Sequence, residues 1–469
     1  INLRAIPNAE SGMSPMDIWC NEAQERYVLI VHEYKKDFLA EICKRENCPY
    51  AVVGNITKDR RLLVNDNLLN NDPVDISMDV LLGKPPSMLR EVKRLPVRHF
   101  PNLDFKEINL EEAIRRVLCF PAVANKSFLI HIADRTVGGL CVRDQCIGPW
   151  QVPVSDVAIT ASGFKGYTGE AMAMGEKSPL AIQDAPASGR MAVGEAITNI
   201  ASVLIEDISD IKLSANWMAA ANHPGEDASL FDTVKAVTVE LCVKLGISIP
   251  VGKDSLSMRT QWNDDMGEYN ATAPISLIIS AFSPVIDVRK HITPQLQKIK
   301  KGSSLLLLDV SRGSCRLGGS CLAQVYNQLG GVTPNIESID YLRDFFKAVQ
   351  DLHREDLLLA YHDRSDGGLL VTCAEMMFAS RLGVSLKMDV TGNDLLSELF
   401  TEELGAVIQI SNECKDKVHK ILEKYNVFFK EIGSVNENDC FEILEKGATI
   451  YCKKRSIMQQ IWSEMTYRI

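Results

Sequence analysis

Apolar positions recur along this chain at two spacings, and the spacings divide it into elements. Unbroken apolar runs of strand length occur at Ser304 to Asp309 and Pro274 to Ile279. Val193, Ile197, Ile200 and Leu204 instead fall on one stripe of a helix over 190–206. The same reading predicts strands at 127–133, 154–160, 211–217, 247–251 and 274–282. A second long helix, 227–245, opens after the turn Pro224-Gly225-Glu226-Asp227. Residues 126–290 thus read as one α/β block. Before it, residues 65–112 read as a Pro- and charge-rich connector carrying Pro85, Pro86, Pro96 and Pro101, with a short helix near 110–118. A last helix is predicted over 456–469.

One pattern occurs on both sides of that block. The first copy has a strand at Tyr27 to Val31, a helix over 36–46 and a strand at Tyr50 to Gly54. The second has a strand at Ala406 to Ile410, a helix over 414–425 and a strand at Val427 to Gly433. Each copy places an acidic residue before its first strand (Glu25; Glu403) and adds a short strand afterwards, at 61–64 and 440–444. This is a split β-α-β unit of the ferredoxin-like kind, and it makes the chain α+β. Companion α/β sequence leads into the second copy from near residue 293; none leads into the first. A half-unit leaves ladder groups and a helix face unpaired, so the first copy is expected to be the tail of a longer repeat.

Composition narrows the partners. The chain has 469 residues, 46% hydrophobic and 24% charged, with 51 basic against 61 acidic side chains and a formal charge of −10. No basic stripe interrupts that balance, which argues against nucleic acid and anionic membrane. No apolar run is long enough to span a bilayer, and no secretory signal is visible. The thirteen cysteines are scattered without a CxxC pair; Cys43/Cys48 and Cys141/Cys146 do not converge with histidines at zinc-like spacing. They read as reduced thiols of a cytoplasmic protein.

Candidate chemistry lies in a few strings. Glu195 and Asn199 stand four apart on the predicted helix, beside its apolar stripe, as two oxygen donors suited to a hard cation such as Mg²⁺ or simply as a solvated rim. The segment Leu357 to Leu369 reads as a buried strand ending at His362, a polar turn with Gly367 and Gly368, then an apolar helix to Ala379. Asp363 and Ser365 would sit where helix N–H groups open, a place that favours phosphate. The bland alternative is a capped turn with Asp366 as N-cap. The Gly-rich loop 311–320 and the string Gly252-Lys-Asp-Ser255 are phosphate-site candidates or plain turns. Asp156 at a strand start is unremarkable alone. His223 reads as a turn residue, and no nucleophile-type triad stands out.

The strings Gly148-Pro-Trp-Gln-Val-Pro-Val154, Ala192-Val-Gly-Glu-Ala-Ile-Thr-Asn199, Lys212-Leu-Ser-Ala-Asn-Trp-Met218, Pro250-Val-Gly-Lys-Asp-Ser255 and His362-Asp-Arg-Ser-Asp-Gly-Gly368 resemble the large, single-chain formylglycinamidine ribonucleotide synthases. The likeness runs in order over nearly the whole chain. It implies an aminoimidazole-ribotide-synthetase-like two-lobe module with mixed and antiparallel sheets, preceded by part of the second lobe of another module. On that reading 1–95 is the partial lobe, 96–125 a linker, 126–292 lobe A, 293–455 lobe B, and 456–469 a helix leading to an absent glutaminase domain. The implied reaction joins formylglycinamide ribonucleotide, ATP and ammonia from glutamine into the amidine, with ADP and phosphate released. Phosphorylation turns an amide oxygen into a leaving group, and ammonia must arrive protected from water.

By motif match, the family's Mg²⁺ ligands fall on Asp156, Glu195, Asn199 and Asp363, and its nucleotide contacts on Ser155 and Ser365. The resemblance makes this an auxiliary ATP/ADP site. The reactive ATP loop, the N-terminal substrate-handling region and the Cys-His-Glu glutaminase have no counterpart here, so this chain alone is expected to be inactive. The competing expectation is a Mg–ADP-binding structural module without chemistry of its own. A one-module relative of selenophosphate- or thiamine-phosphate-type enzymes fits the repeat less well.

Overall fold

A strand holds its shape only where a neighbour takes its N–H and C=O groups, and the strands of this chain are distributed over two compact units, Ile1–Glu91 and Val92–Ile469. The computed structural model describes all residues except 86–88, 90, 97–98 and 391–392. The connector residue Pro86 therefore lies outside the described residues.

In the first unit the paired strands are β1 (Arg61–Asp66) and β2 (Asn71–Ser77), an antiparallel hairpin. Asp66, fully buried, takes Arg4 in a fork: Nε to Oδ1 at 3.0 Å and Nη2 to Oδ2 at 2.6 Å. That bond, helped by the Leu68 and Leu69 amides, pulls the Asp66 carboxyl down to about 2. The predicted helix forms as Lys36–Arg45. The predicted strands Tyr27 to Val31 and Tyr50 to Gly54 do not form. Tyr27, Val28 and Ile30 are each more than four-fifths exposed (85%, 86% and 81%). Their β-branched pattern meets no partner ladder among the described residues, and unpaired extended chain is not a strand.

The second unit holds two mixed sheets. The first uses β3 (Cys141–Arg143), β4 (Ala158–Ala161), β5 (Gly169–Glu176), β6 (Lys212–Met218) and β7 (Ser248–Ser255). An exposed hairpin, β8 (Arg259–Asp264) and β9 (Gly267–Thr272), leads to β10 (Ser276–Val285), which inserts between β5 and β6. Only the β6–β7 pairing in this sheet is parallel. The second sheet orders β12 (Ala360–Asp363), β14 (Gly405–Ser411), β11 (Ser303–Asp309), β15 (Phe428–Asn436), β13 (Gly383–Met388), β16 (Cys440–Glu445) and β17 (Ala448–Lys454). Its parallel pair is β13–β16. The second copy of the repeat thus forms as expected, with its Ala406 strand paired on both sides, by β11 and β12.

Side chains of a strand alternate between faces, and β11 uses both. Leu306 and Leu308 enter the core shared with the first sheet, beside Ile197, Ile279 and Phe345. Leu305 and Leu307 enter a second core with Leu370, Phe378 and Trp462. All seven residues of β11 are buried, the usual state of a strand covered on both faces.

Three further expectations change in the second unit. Residues 127–133 form a helix, Ser127–Ile132, because a short apolar run does not by itself distinguish strand from helix. The strand predicted from 154 begins at Ala158. The helix predicted over 190–206 runs Ala185–Ile200, started by Asp184, whose carboxylate accepts the Ala187 N–H. The helix after Gly225 continues from Glu226 through a π-segment, Ala236–Cys242, to Leu245. Among the described residues no helix is long and apolar enough to cross a membrane.

Candidate metal and nucleotide site

Two tight backbone approaches bring the site together. A Cβ on Gly175 in β5 would lie 2.2 Å from the Ala192 carbonyl oxygen and 2.5 Å from the Ala196 nitrogen, so glycine lets helix Ala185–Ile200 lie directly on the strand. Glu195, half-buried on that helix, then accepts the Glu176 N–H at 2.7 Å. At the end of β12, Gly367 and Gly368 both take positive φ (81° and 68°), and a Cβ on Gly368 would strike the backbone of 399–401. The helix Gly368–Ser380 starts there, capped by Gly367 and not by Asp366.

Asp156 and Asp363 meet at this turn. Asp156 Oδ1 accepts the Asp363 N–H at 3.2 Å and faces His362 Nδ1 at 2.7 Å, while His362 Nε2 faces Glu375 Oε2 at 2.9 Å. Ligand atoms of Asp156, His362 and Asp363 all lie within 4.8 Å of one another, and all three residues are buried. Burial pulls the His362 imidazole down, but the carboxylates of Asp156 and Glu375 outweigh it and hold the ring well above its usual value. With a carboxylate at each nitrogen, the imidazolium is the form that donates at both. Burial, reinforced by Asp156, raises the Asp363 carboxyl to about 7. Asp156 Oδ2 and Asp363 Oδ2 are buried and accept no hydrogen bond among the described residues. The two orphaned carboxylate oxygens suit a hard divalent cation, while His362, protonated between two carboxylates, has no lone pair free and stands as a partner of Asp156, not as a ligand.

The other expected residues divide. Glu195 stands outside the 4.8 Å group, yet Asp363, Asp366 and Lys177 all act on its charge. Burial leads in holding its carboxyl well above the usual range. Asn199 is one turn along, its Nδ2 donating to the Met174 carbonyl at 3.1 Å. Ser155 precedes Asp156, its Oγ donating to the Val157 carbonyl at 2.8 Å; Ser365 lies in the turn, where its carbonyl accepts the Gly368 N–H at 3.0 Å.

Two phosphate candidates are otherwise engaged. In loop 311–320 the Ser311 and Gly313 amides donate to Asp309, and the Cys321 amide donates to Glu402 Oε1 at 2.8 Å. These amides already hold anions, the protein's own carboxylates. Gly252 to Ser255 is part of exposed strand β7, not a loop. His223 sits in a turn, its amide bonded to Ala220.

Residues not foreseen are Lys177, His362, Glu375 and Glu402. Lys177, 7% exposed, reaches Asp366 and Glu402. His362 was visible beside Asp363 as a polar residue at the end of an apolar strand. Isolated charges such as Lys177 and Glu402 carry no signal in one sequence.

Known proteins resemble this chain over most of its length. Residues 125–284 match the FGAR-AT PurM_N-like domain, and residues 1–67 and 300–444 match the AIR synthase related protein, C-terminal domain. The fold is similar to Thermotoga maritima PurL complexed with FGAR, at 10% identity and a TM-score of 0.55, over 74% of this chain and 53% of that one. PurLQS from Thermotoga maritima is similar at 12% identity and 0.53, over 81% and 53%. The T. maritima PurL complexed with AMPPCP gives 10% and 0.52, over 75% and 51%. The chain thus spans about half the length of these structures.

Proposed function

We propose that this chain, an FGAR-AT/PurL-like protein by its matched domains, supplies a Mg²⁺–nucleotide site to an ATP-dependent ligase of purine biosynthesis acting on FGAR. Glutamine-derived ammonia is the proposed nitrogen donor. The observation that carries the site is the pair of orphaned, buried oxygens on Asp156 and Asp363. Asp156 and Asp363 would hold the ion, with Glu195 and Asn199 completing its oxygen shell. Bound there, Mg²⁺ would neutralise phosphate charge.

The chain's own groups have separate tasks. Ser155 and Ser365 flank the carboxylates and would bind the nucleotide phosphates. His362, held between Asp156 and Glu375, fixes the Asp156 carboxylate in place, as partners of metal ligands commonly do. Residues 126–292 and 293–455 serve as the two lobes. Because the chain spans about half the PurL length, turnover by this chain alone is not expected.

Thermal unfolding with and without Mg–ADP tests the site. At a hundredfold excess over Kd, linkage adds about 2.7 kcal/mol to the native state, so the midpoint rises. In Asp363→Ala the rise disappears; a variant that responds like the parent refutes the assignment. ADP release from FGAR, ATP and ammonia by this chain alone would overturn the expectation of inactivity.

A further inference from the structure

Lys177 is a buried cation beside the candidate site, as Arg364 is, and its backbone and ammonium are both held by neighbours. Its backbone carbonyl accepts the buried Ser188 hydroxyl at 2.7 Å, and the residue before it donates its N–H to Glu195 at 2.7 Å. Its side chain lines a cavity of about 40 Å³ with Leu180, Met191, Gly318 and Gly319. Its ammonium bonds Asp366, in the turn after Asp363, and reaches Glu402 Oε2 at 3.5 Å. Glu402 Oε1 in turn takes the Gly367 N–H at 2.9 Å and the Cys321 N–H at 2.8 Å. One lysine at the end of β5 therefore ties the Glu195 side of the site to the turn that bears Asp363 and Ser365. Its charge also acts on both Glu195 and Asp363.

We propose that Lys177 is the positioning residue of the nucleotide site, tethering the Ser365–Gly367 turn through Asp366 and setting the balance between free Mg²⁺ and the Mg–nucleotide. The inference rests on the proposed Mg²⁺–nucleotide reading. Two effects of opposite sign follow. The ammonium repels a free divalent cation at the neighbouring carboxylates, so its removal strengthens Mg²⁺ binding. The same removal frees the turn and takes positive charge away from a polyphosphate, so Mg–ADP binding weakens.

Titration calorimetry on the full chain with MgCl₂ alone, and with ADP at saturating Mg²⁺, tests this. Lys177→Met should bind Mg²⁺ about tenfold more tightly and Mg–ADP at least about tenfold more weakly. A purely structural lysine would weaken both, and that result overturns the proposal. Asp366→Asn keeps the ammonium and cuts the tether: Mg–ADP should weaken while Mg²⁺ alone does not tighten. If Lys177→Met does not fold, Asp366→Asn decides, and unchanged Mg–ADP affinity there overturns the proposal. A parent protein that binds no Mg–ADP refutes the site reading itself. A parent that binds, with Lys177→Met indistinguishable from it, refutes only the role of Lys177.

Discussion

Replacing Arg364 by Met should be among the most damaging single changes outside the apolar cores. Arg364 is 2% exposed and lies between Asp363 and Ser365. Its Nε donates to the Glu403 carbonyl at 2.6 Å, and its Nη2 donates to Asp309 Oδ1 at 2.7 Å and to the Leu404 carbonyl at 3.2 Å. Methionine fills similar space and makes none of these bonds. Breaking a buried ion pair from one side costs about 3–5 kcal/mol. Asp309 keeps the Ser311 and Gly313 amides and the Ser311 hydroxyl, which places the loss near the low end, about 3 kcal/mol. With an m-value of about 3 kcal/mol per M or more, the urea midpoint should fall by up to about 1 M. Adding Asp309→Asn to Arg364→Met removes the unpaired charge and should recover part of the loss, a coupling of about 1–3 kcal/mol across the four-protein cycle. Circular dichroism and tryptophan fluorescence followed through urea give the midpoints. A single-variant loss under about 0.5 kcal/mol, the ordinary surface range, refutes the reasoning, as does a cycle with no coupling.

Two further changes report on the scaffold. Gly175→Ala places a methyl against the Ala192 carbonyl and Ala196 nitrogen, so the helix bearing Glu195 must lift from β5; we expect a loss of about 1–3 kcal/mol in urea and a weaker Mg–ADP response. An unchanged urea midpoint in that variant would contradict the close approach. His353, 2% exposed, is held down to about 4 by burial and then by Lys290, so it is neutral in the fold while the unfolded ring titrates near 6.5. Its contribution is fully present above about pH 6.5 and is lost as pH falls toward 4, about 3 kcal/mol in all. His353→Gln should flatten that part of the stability–pH curve, and an identical curve would exclude His353 as its source.

How far the sequence reveals the fold depends on how local each feature is. The β11 run and the helices over 36–46 and 110–118 need only their own residues, and all form. The run Tyr27 to Val31 has the same apolar character as Ala406 to Ile410, but only the latter finds strands on either side. Strand identity is therefore a tertiary property, and the pattern alone did not contain it. The weakly patterned β5, with its small residues and alternating burial, escaped notice because glycine and alanine are poor strand signals. Within the site, the two glycines after Asp366 marked the turn. Asp156 enters from a distant loop, and Lys177 and Glu402 come together only when the two sheets pack.

The burial of β11 on both faces also bears on how the larger unit opens. Its odd leucines belong to one core and its even leucines to the other, so neither core can loosen without stripping one side of the same strand. Partial melting around one core is therefore suppressed, and the amides of Leu305 to Leu308 should exchange with solvent hydrogen only through the highest-energy opening of the unit.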